Sequence, residues 1–127
     1  MFLCFYIETA MTKILLVEDE ERVRALLKGV LESNGYEVQE ASSGKEALQS
    51  YARSPPDLIL TDLVMPDVEG IELIAKIRKS DPNLKIIAMS GSNYLYIAER
   101  LGADHIMEKP FSNKALLNAV KATLGQA

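Results

Sequence analysis

The sequence contains few of the residues that disulfides and metal sites based on sulfur or nitrogen ligands require. Among 127 residues there is one cysteine, Cys4, and one histidine, His105. A single cysteine cannot form an internal disulfide, and a single histidine cannot supply a histidine-based metal site or a serine–histidine triad. Proteins with so little cysteine are typical of reducing compartments, so we expect a cytoplasmic protein.

The sequence also lacks an excess of basic charge and a long hydrophobic segment. Its 14 lysines and arginines against 18 acidic residues give a net charge of −4, the wrong sign for a surface that follows nucleic-acid phosphates. Residues 1–7 are apolar, but a membrane span needs about 20 apolar residues. A signal peptide would begin with basic residues, which are absent there. We therefore predict no direct nucleic-acid binding and no membrane insertion.

The length and composition predict one domain with its own core. A chain of 127 residues with 48% hydrophobic residues can bury enough surface to fold without metal or disulfides. A regular apolar pattern begins only after Thr12 and Lys13. We therefore assign residues 1–11 to an N-terminal extension and residues 12–125 to the domain. The extension is either an upstream start feature or a segment that packs on something, and the sequence leaves both open.

From Lys13 onward, short apolar runs alternate with stripes at helical spacing. Residues 14–17 form a run that is typical of a strand buried on both faces. The next stripe predicts a helix whose core side consists of Val23, Leu26, Leu27, Val30 and Leu31. Residues 43–46 have the spacing of a capping box, and Ser112 can cap the last helix. The full pattern predicts an α/β fold with five strands and five helices, in which a parallel sheet is covered by helices on both faces.

Polar residues follow the predicted strands at the ends where functional groups of such sheets collect. Glu18 and Asp19 follow the first strand, Asp62 ends the third, Ser90 the fourth, and Lys109 comes after the fifth. Carboxylates that share a concavity repel each other unless a cation joins them, and Mg²⁺ commonly binds carboxylates together with a phosphate. A carboxylate can also act as a nucleophile and form an aspartyl phosphate.

Four motifs at these strand ends carry a family resemblance that covers about residues 12–125. They are VEDE at 17–20, LTDLVMPDVEG at 60–70, MSG at 89–91 and KPF at 109–111. Together they resemble the receiver domain of two-component response regulators. The resemblance implies a doubly wound, flavodoxin-like fold with a five-stranded parallel sheet in the order 2-1-3-4-5.

The resemblance also implies a role for each acidic residue. Asp62 would accept a phosphoryl group from a sensor histidine kinase or a histidine phosphotransfer protein. Glu18, Asp19 and Asp62 would hold Mg²⁺ together with the backbone carbonyl of Val64. The protein would then be a signalling switch that catalyses only its own phosphorylation and dephosphorylation.

Lys109 and Ser90 complete the implied site. Lys109 would pair with the acceptor and later with the phosphoryl group, and Ser90 would hydrogen-bond the phosphorylated state. The peptide bond between Lys109 and Pro110 would be cis. A downstream protein would read the switch on the face formed by the fourth helix, the fifth strand and the fifth helix.

The sequence departs from the family pattern in this last region. Ile106 stands where many receivers have Tyr or Phe, Gly91 replaces the commoner alanine, and the segment between Ser90 and Lys109 is a few residues short. Residues 94–97 are four consecutive apolar residues, which a helix cannot all turn inward. We expect at least one of them, Leu95 or Tyr96, to be exposed.

Two other functions agree with parts of the pattern. A pseudo-receiver would act as an adaptor without phosphorylation, although every residue that the chemistry needs is present. A phosphatase of the haloacid-dehalogenase type also uses an aspartate nucleophile at a strand end. That family has a second acid two residues later, where this chain has Val64.

Overall fold

The computed structural model describes residues 11–65, 70–91 and 95–126, without the side chain of Leu95. Within these ranges, five parallel strands form one sheet in the order β2-β1-β3-β4-β5. The strands are β1 (Lys13–Val17), β2 (Glu37–Ala41), β3 (Leu58–Asp62), β4 (Lys85–Ser90) and β5 (His105–Glu108). This is the predicted flavodoxin-like sheet.

Five helices in the described ranges cover the two faces of the sheet. They are α1 (Glu21–Ser33), α2 (Gly44–Arg53), α3 (Gly70–Ser80), α4 (Leu95–Leu101) and α5 (Asn113–Leu124). One core cluster joins α1 and α5 to the sheet, and a second cluster joins α2, α3 and α4 to its opposite face. Strand β1 supplies both clusters because successive side chains of a strand point to opposite faces. Its Ile14 and Leu16 lie in the first cluster, and Leu15 and Val17 lie in the second.

The strand register aligns the ends of the strands that carry polar residues. Val17 pairs with Thr61, which places the residue after β1 beside the last residue of β3. Asp62 in turn pairs with Met89, one residue before the end of β4. Because parallel strands end at the same edge, this register gathers the predicted site residues at one edge of the sheet.

The predicted helix starts at Ser43 and Ser112 are confirmed. The Ser43 hydroxyl accepts a hydrogen bond from the Glu46 amide at 3.1 Å, and the Ser112 hydroxyl accepts one from the Ala115 amide at 3.0 Å. The reciprocal half of the capping box differs, because the Glu46 carboxylate accepts from the Ser42 amide and not from that of Ser43. Both serines therefore satisfy backbone donors that the first helical turn leaves without a partner.

The prediction that Leu26 faces the core is wrong. Its side chain is 63% exposed, whereas Leu27 and Leu31 of the same helix are buried. Neighbouring helical residues point about 100° apart, so α1 cannot turn Leu26 and Leu27 fully to the sheet together. Leu26 instead lines a groove between α1 and α5, which also includes Leu117.

None of the helices in the described ranges combines the length and the hydropathy that crossing a membrane requires.

Candidate functional site

Three acidic side chains meet at the carboxyl edge of the sheet. One carboxylate oxygen of each of Glu18, Asp19 and Asp62 lies within 4.8 Å of the others. Glu18 is 1% exposed and Asp62 is 8% exposed, whereas Asp19 is exposed to solvent. The structure thus brings together the three acids that the sequence singles out, and one side of the cluster is open to solvent.

Asp62 ends β3 (Leu58–Asp62), and both of its carboxylate oxygens are held. Oδ2 accepts a hydrogen bond from the Lys109 ammonium at 2.8 Å, and Oδ1 accepts one from the Val64 amide at 3.1 Å. The buried Thr61 hydroxyl donates to the carbonyl oxygen of Asp62 at 2.9 Å. The carboxylate therefore has a defined orientation at the centre of the acidic cluster.

Lys109 bridges the two buried acids. Its Nζ lies 2.8 Å from Oδ2 of Asp62 and 3.0 Å from Oε1 of Glu18. Burial by itself would lower the pKa of Lys109, but the hydrogen bonds and the charges of Asp62 and Glu18 outweigh it and raise that pKa above its usual value. The ammonium is therefore charged at neutral pH and offsets part of the repulsion among the carboxylates.

The backbone on either side of Lys109 sets its position. Its amide donates to the carbonyl oxygen of Ser90 at 3.0 Å, which extends the pairing of β4 with β5. The Lys109–Pro110 peptide bond is cis. Ser90 is 2% exposed at the end of β4, on the strand next to the one that Asp62 ends.

The acidic loop, residues 18–20, joins β1 to α1. Hydrogen bonds of Glu18 fix its position. The Glu18 amide donates to the Ala41 carbonyl oxygen at 3.0 Å, and Glu18 Oε2 accepts from the Glu20 amide at 3.1 Å. Burial raises the pKa of the Glu18 carboxyl, although hydrogen bonds from Glu20 and Lys109 oppose this effect. The ammonium of Lys109 thus favours the ionised form of the Glu18 carboxyl against the effect of burial.

Arg24 contacts the acidic loop and is a residue that the sequence patterns do not single out. Its Nη1 donates to the carbonyl oxygen of Glu18 at 2.9 Å, and its Nε donates to Glu40 at 3.3 Å. The hydrogen bond from Lys28 lowers the pKa of the Glu40 carboxyl, and Arg24 adds to that effect. Helical spacing places Arg24 only on the polar side of α1, so no sequence signal reports this contact.

The donor set suits a hard divalent cation. All three clustered side chains offer carboxylate oxygens, which Mg²⁺ prefers to nitrogen or sulfur ligands. The exposed Asp19 gives a cation access to the two buried acids. Val64 lies two residues after Asp62, and its side chain is 49% exposed. Its amide donates a hydrogen bond to the Asp62 carboxylate.

The model of the response regulator receiver domain matches residues 14–121 of this chain. The chain belongs to that family. Its members are signalling domains and not classical enzymes, and the acidic cluster resembles the Mg²⁺ site of receiver domains. The predicted family is thereby confirmed.

The relatives include one protein that this chain nearly spans and another that is about twice as long. The chain is 38% identical over 112 residues to the chemotaxis protein CheY of Thermotoga maritima, covering 85% of this chain and 93% of that protein. It is also 38% identical over 115 residues to the alkaline phosphatase synthesis transcriptional regulatory protein PhoP of Bacillus subtilis, covering 88% of this chain and 48% of that one. The receiver chain thus spans about half the length of several curated relatives it matches.

A solved structure supports the same assignment. The CheY-like response regulator receiver domain protein of Methanospirillum hungatei JF-1 superposes with a TM-score of 0.87 at 33% sequence identity. The match covers 91% of this chain and 95% of that one.

The region where the sequence is expected to depart from the family pattern contains an exposed aromatic residue. Tyr96 of α4 (Leu95–Leu101) is 64% exposed, which confirms that at least one of the consecutive apolar residues faces solvent. Tyr94 lies outside the described residues. Ile106 is half-buried in β5 (His105–Glu108), where its side chain offers no polar group.

Proposed function

We propose that this receiver is a phosphoacceptor switch in which Asp62 takes a phosphoryl group from a phosphohistidine. The donor would be a sensor histidine kinase or a histidine phosphotransfer protein. The observation that carries this proposal is the position of Asp62, whose carboxylate lies between Lys109 at 2.8 Å and the acids Glu18 and Asp19. In the described part of the chain, this is the cluster that combines three carboxylates with an ammonium.

The transfer requires a carboxylate that has a defined orientation and that can attack the phosphorus atom. A carboxylate oxygen of Asp62 would form a bond to phosphorus while the bond from phosphorus to the histidine nitrogen breaks. The nitrogen keeps the electron pair and takes up a proton, and Asp62 carries a mixed anhydride. The Val64 amide orients the carboxylate, and Lys109 offsets negative charge on the transferred group.

Glu18, Asp19 and Asp62 would hold Mg²⁺, with the carbonyl oxygen of Val64 as a further ligand. Bound there, the ion would neutralise charge on the phosphoryl oxygens. The Ser90 hydroxyl would hydrogen-bond the phosphorylated state. Membership in the family and the donor chemistry of the cluster support these roles.

The downstream partner would bind the face formed by α4, β5 and α5. The exposed Tyr96 on α4 supports this choice, since an aromatic side chain in solvent offers apolar area to a partner. A cytoplasmic location is part of the same proposal, because phosphohistidine donors and their substrates must share a compartment.

Phosphorylation by a small donor tests the proposal. The full chain is incubated with phosphoramidate and Mg²⁺, and protein-bound phosphate is measured before and after treatment with hydroxylamine, which cleaves acyl phosphates. We expect up to one labile phosphate per chain and none in excess chelator, because the acid cluster needs a cation to accept more negative charge. The same sample reports inorganic phosphate released over time.

Other results would contradict the proposal or favour one of the alternative functions. Labelling that is equally strong in excess chelator contradicts the proposed Mg²⁺ site. Continuous hydrolysis of a phosphate ester that is supplied in place of phosphoramidate would indicate a phosphatase. A chain that never gains phosphate while it still binds a partner would indicate an adaptor that works without phosphorylation.

We also propose that residues 1–11 are an extension and that residues 12–125 form the receiver domain. Strand β1 begins at Lys13, and both described core clusters start at Ile14 or Leu15. A chain lacking residues 1–10 should keep the rate of phosphorylation and should change the free energy of unfolding by less than about 1 kcal/mol. Chemical denaturation checks the second point, and a loss of several kcal/mol would make these residues part of the core or of a dimer contact.

A further inference from the structure

Arg24 reaches from α1 to the backbone of the acidic loop. It lies at the end of the first turn of α1 (Glu21–Ser33), and its side chain is 17% exposed. Its Nη1 donates to the carbonyl oxygen of Glu18 at 2.9 Å. We propose that Arg24 is a positioning residue that holds the peptide between Glu18 and Asp19, so that both carboxylates are arranged for Mg²⁺. This inference rests on the proposed function of the site.

The planarity of the peptide group makes this single contact effective. The carbonyl of Glu18, the amide of Asp19 and the Cα atom of Asp19 lie in one plane and move together. The other side of Glu18 is already fixed, because its amide donates to the Ala41 carbonyl oxygen at 3.0 Å. A hydrogen bond to the Glu18 carbonyl therefore orients the backbone from which the Asp19 side chain departs.

The contact with Arg24 uses none of the carboxylate oxygens of the acidic loop. A guanidinium bound to Glu18 or Asp19 through their side chains would occupy the oxygens that the ion needs. Arg24 instead donates to a backbone carbonyl, and its Nε donates to Oε1 of Glu40 at 3.3 Å, on the neighbouring strand β2. The charge of Arg24 is thus partly balanced outside the acidic cluster.

Lys28 offers a matched control. Its ammonium contacts Oε2 of Glu40 at 2.9 Å, so Arg24 and Lys28 share one acidic partner. Both residues belong to α1, and both pairs are partly exposed, where ion pairs contribute little to stability. Of these two residues, only Arg24 also donates a hydrogen bond to the acidic loop. Removing either charge therefore tests electrostatics, and only the removal of Arg24 tests positioning.

The test compares Arg24→Met with Lys28→Met in the full chain. Isothermal titration with Mg²⁺ should show a dissociation constant about 10-fold higher for Arg24→Met than for the unmodified chain, the size expected when a residue that orients a metal ligand is lost. Loss of a positive charge would by itself strengthen cation binding, so electrostatics predicts the opposite sign. Lys28→Met should bind Mg²⁺ as tightly as the unmodified chain or more tightly. Arg24→Lys retains a donor and should lose less than Arg24→Met.

Amide hydrogen exchange in metal-free protein gives a second measurement. The Glu20 amide donates to Glu18 Oε2 at 3.1 Å, so its exchange reports on the order of the acidic loop. It should exchange several-fold faster in Arg24→Met and at an unchanged rate in Lys28→Met. Thermal unfolding of both variants verifies that each is folded, and Arg24→Lys replaces Arg24→Met if Arg24→Met is unfolded.

The outcomes separate this inference from the function on which it rests. Unchanged Mg²⁺ affinity in Arg24→Met overturns the positioning role, and so does an equal loss in Lys28→Met. If the unmodified chain binds no Mg²⁺, the proposed metal site fails. In that case the exchange of the Glu20 amide still decides whether Arg24 orders the loop.

Discussion

Replacing Asp62 with asparagine should abolish phosphorylation by phosphoramidate. The amide has nearly the shape of the carboxylate, but it is neutral and cannot form the acyl phosphate through an anionic oxygen. The fold should persist, because the substitution removes one of three crowded carboxylates and leaves Lys109 its contact with Glu18 at 3.0 Å. Protein-bound phosphate and the midpoint of thermal unfolding, measured on the same sample, check both parts.

The matched control is Glu32→Gln, which makes the same change of a carboxylate to an amide on the exposed side of α1. It should be phosphorylated at the rate of the unmodified chain. If Asp62→Asn still gains phosphate that hydroxylamine removes, another carboxylate is the acceptor and the assignment of Asp62 is wrong.

Gly70→Ala should cause a large loss of stability. A Cβ atom at Gly70 would overlap the carbonyl oxygen of Asp62 and lie 2.7 Å from the Cα atom of Leu63. These neighbours are backbone atoms at the end of β3, so relief requires the chain itself to move. The Gly70 amide also donates to the Leu63 carbonyl oxygen at 3.1 Å, which holds the start of α3 close to that strand. We expect the free energy of unfolding to fall by about 3 kcal/mol, the upper range for overpacking.

The same substitution should slow phosphorylation, because the displaced backbone carries Asp62, the proposed phosphoacceptor. Gly29→Ala is the control for the change in residue type. Gly29 lies within α1, and a Cβ atom there meets nothing within 4 Å. Alanine favours the helix, so Gly29→Ala should raise the free energy of unfolding by about 0.5–1 kcal/mol. Urea denaturation measures both, and equal effects in the two variants would contradict the close approach at Gly70.

The fold and the candidate site residues follow from local features of the sequence. The apolar run at residues 14–17 predicts a strand buried on both faces, and all four side chains are fully buried in β1. Asp62 follows a similar run, so its place at the end of a strand is determined by the pattern around it. Because parallel strands end at one edge, the pattern predicts that the polar residues gather there, and the family resemblance adds the strand order that places Glu18 and Asp19 next to Asp62.

Only the tertiary structure decided how the helices sit on the sheet and what their polar side chains contact. The stripe of α1 gives Leu26 the same apparent role as Leu27, yet Leu26 is 63% exposed because the rotation of the helix is set by packing against the sheet and α5. The contact of Arg24 with the Glu18 carbonyl depends on the same rotation. The bridge from Lys109 to Glu18 joins residues 91 positions apart. Periodicity reports which side of an element is apolar, whereas such contacts depend on the placement of one element against another.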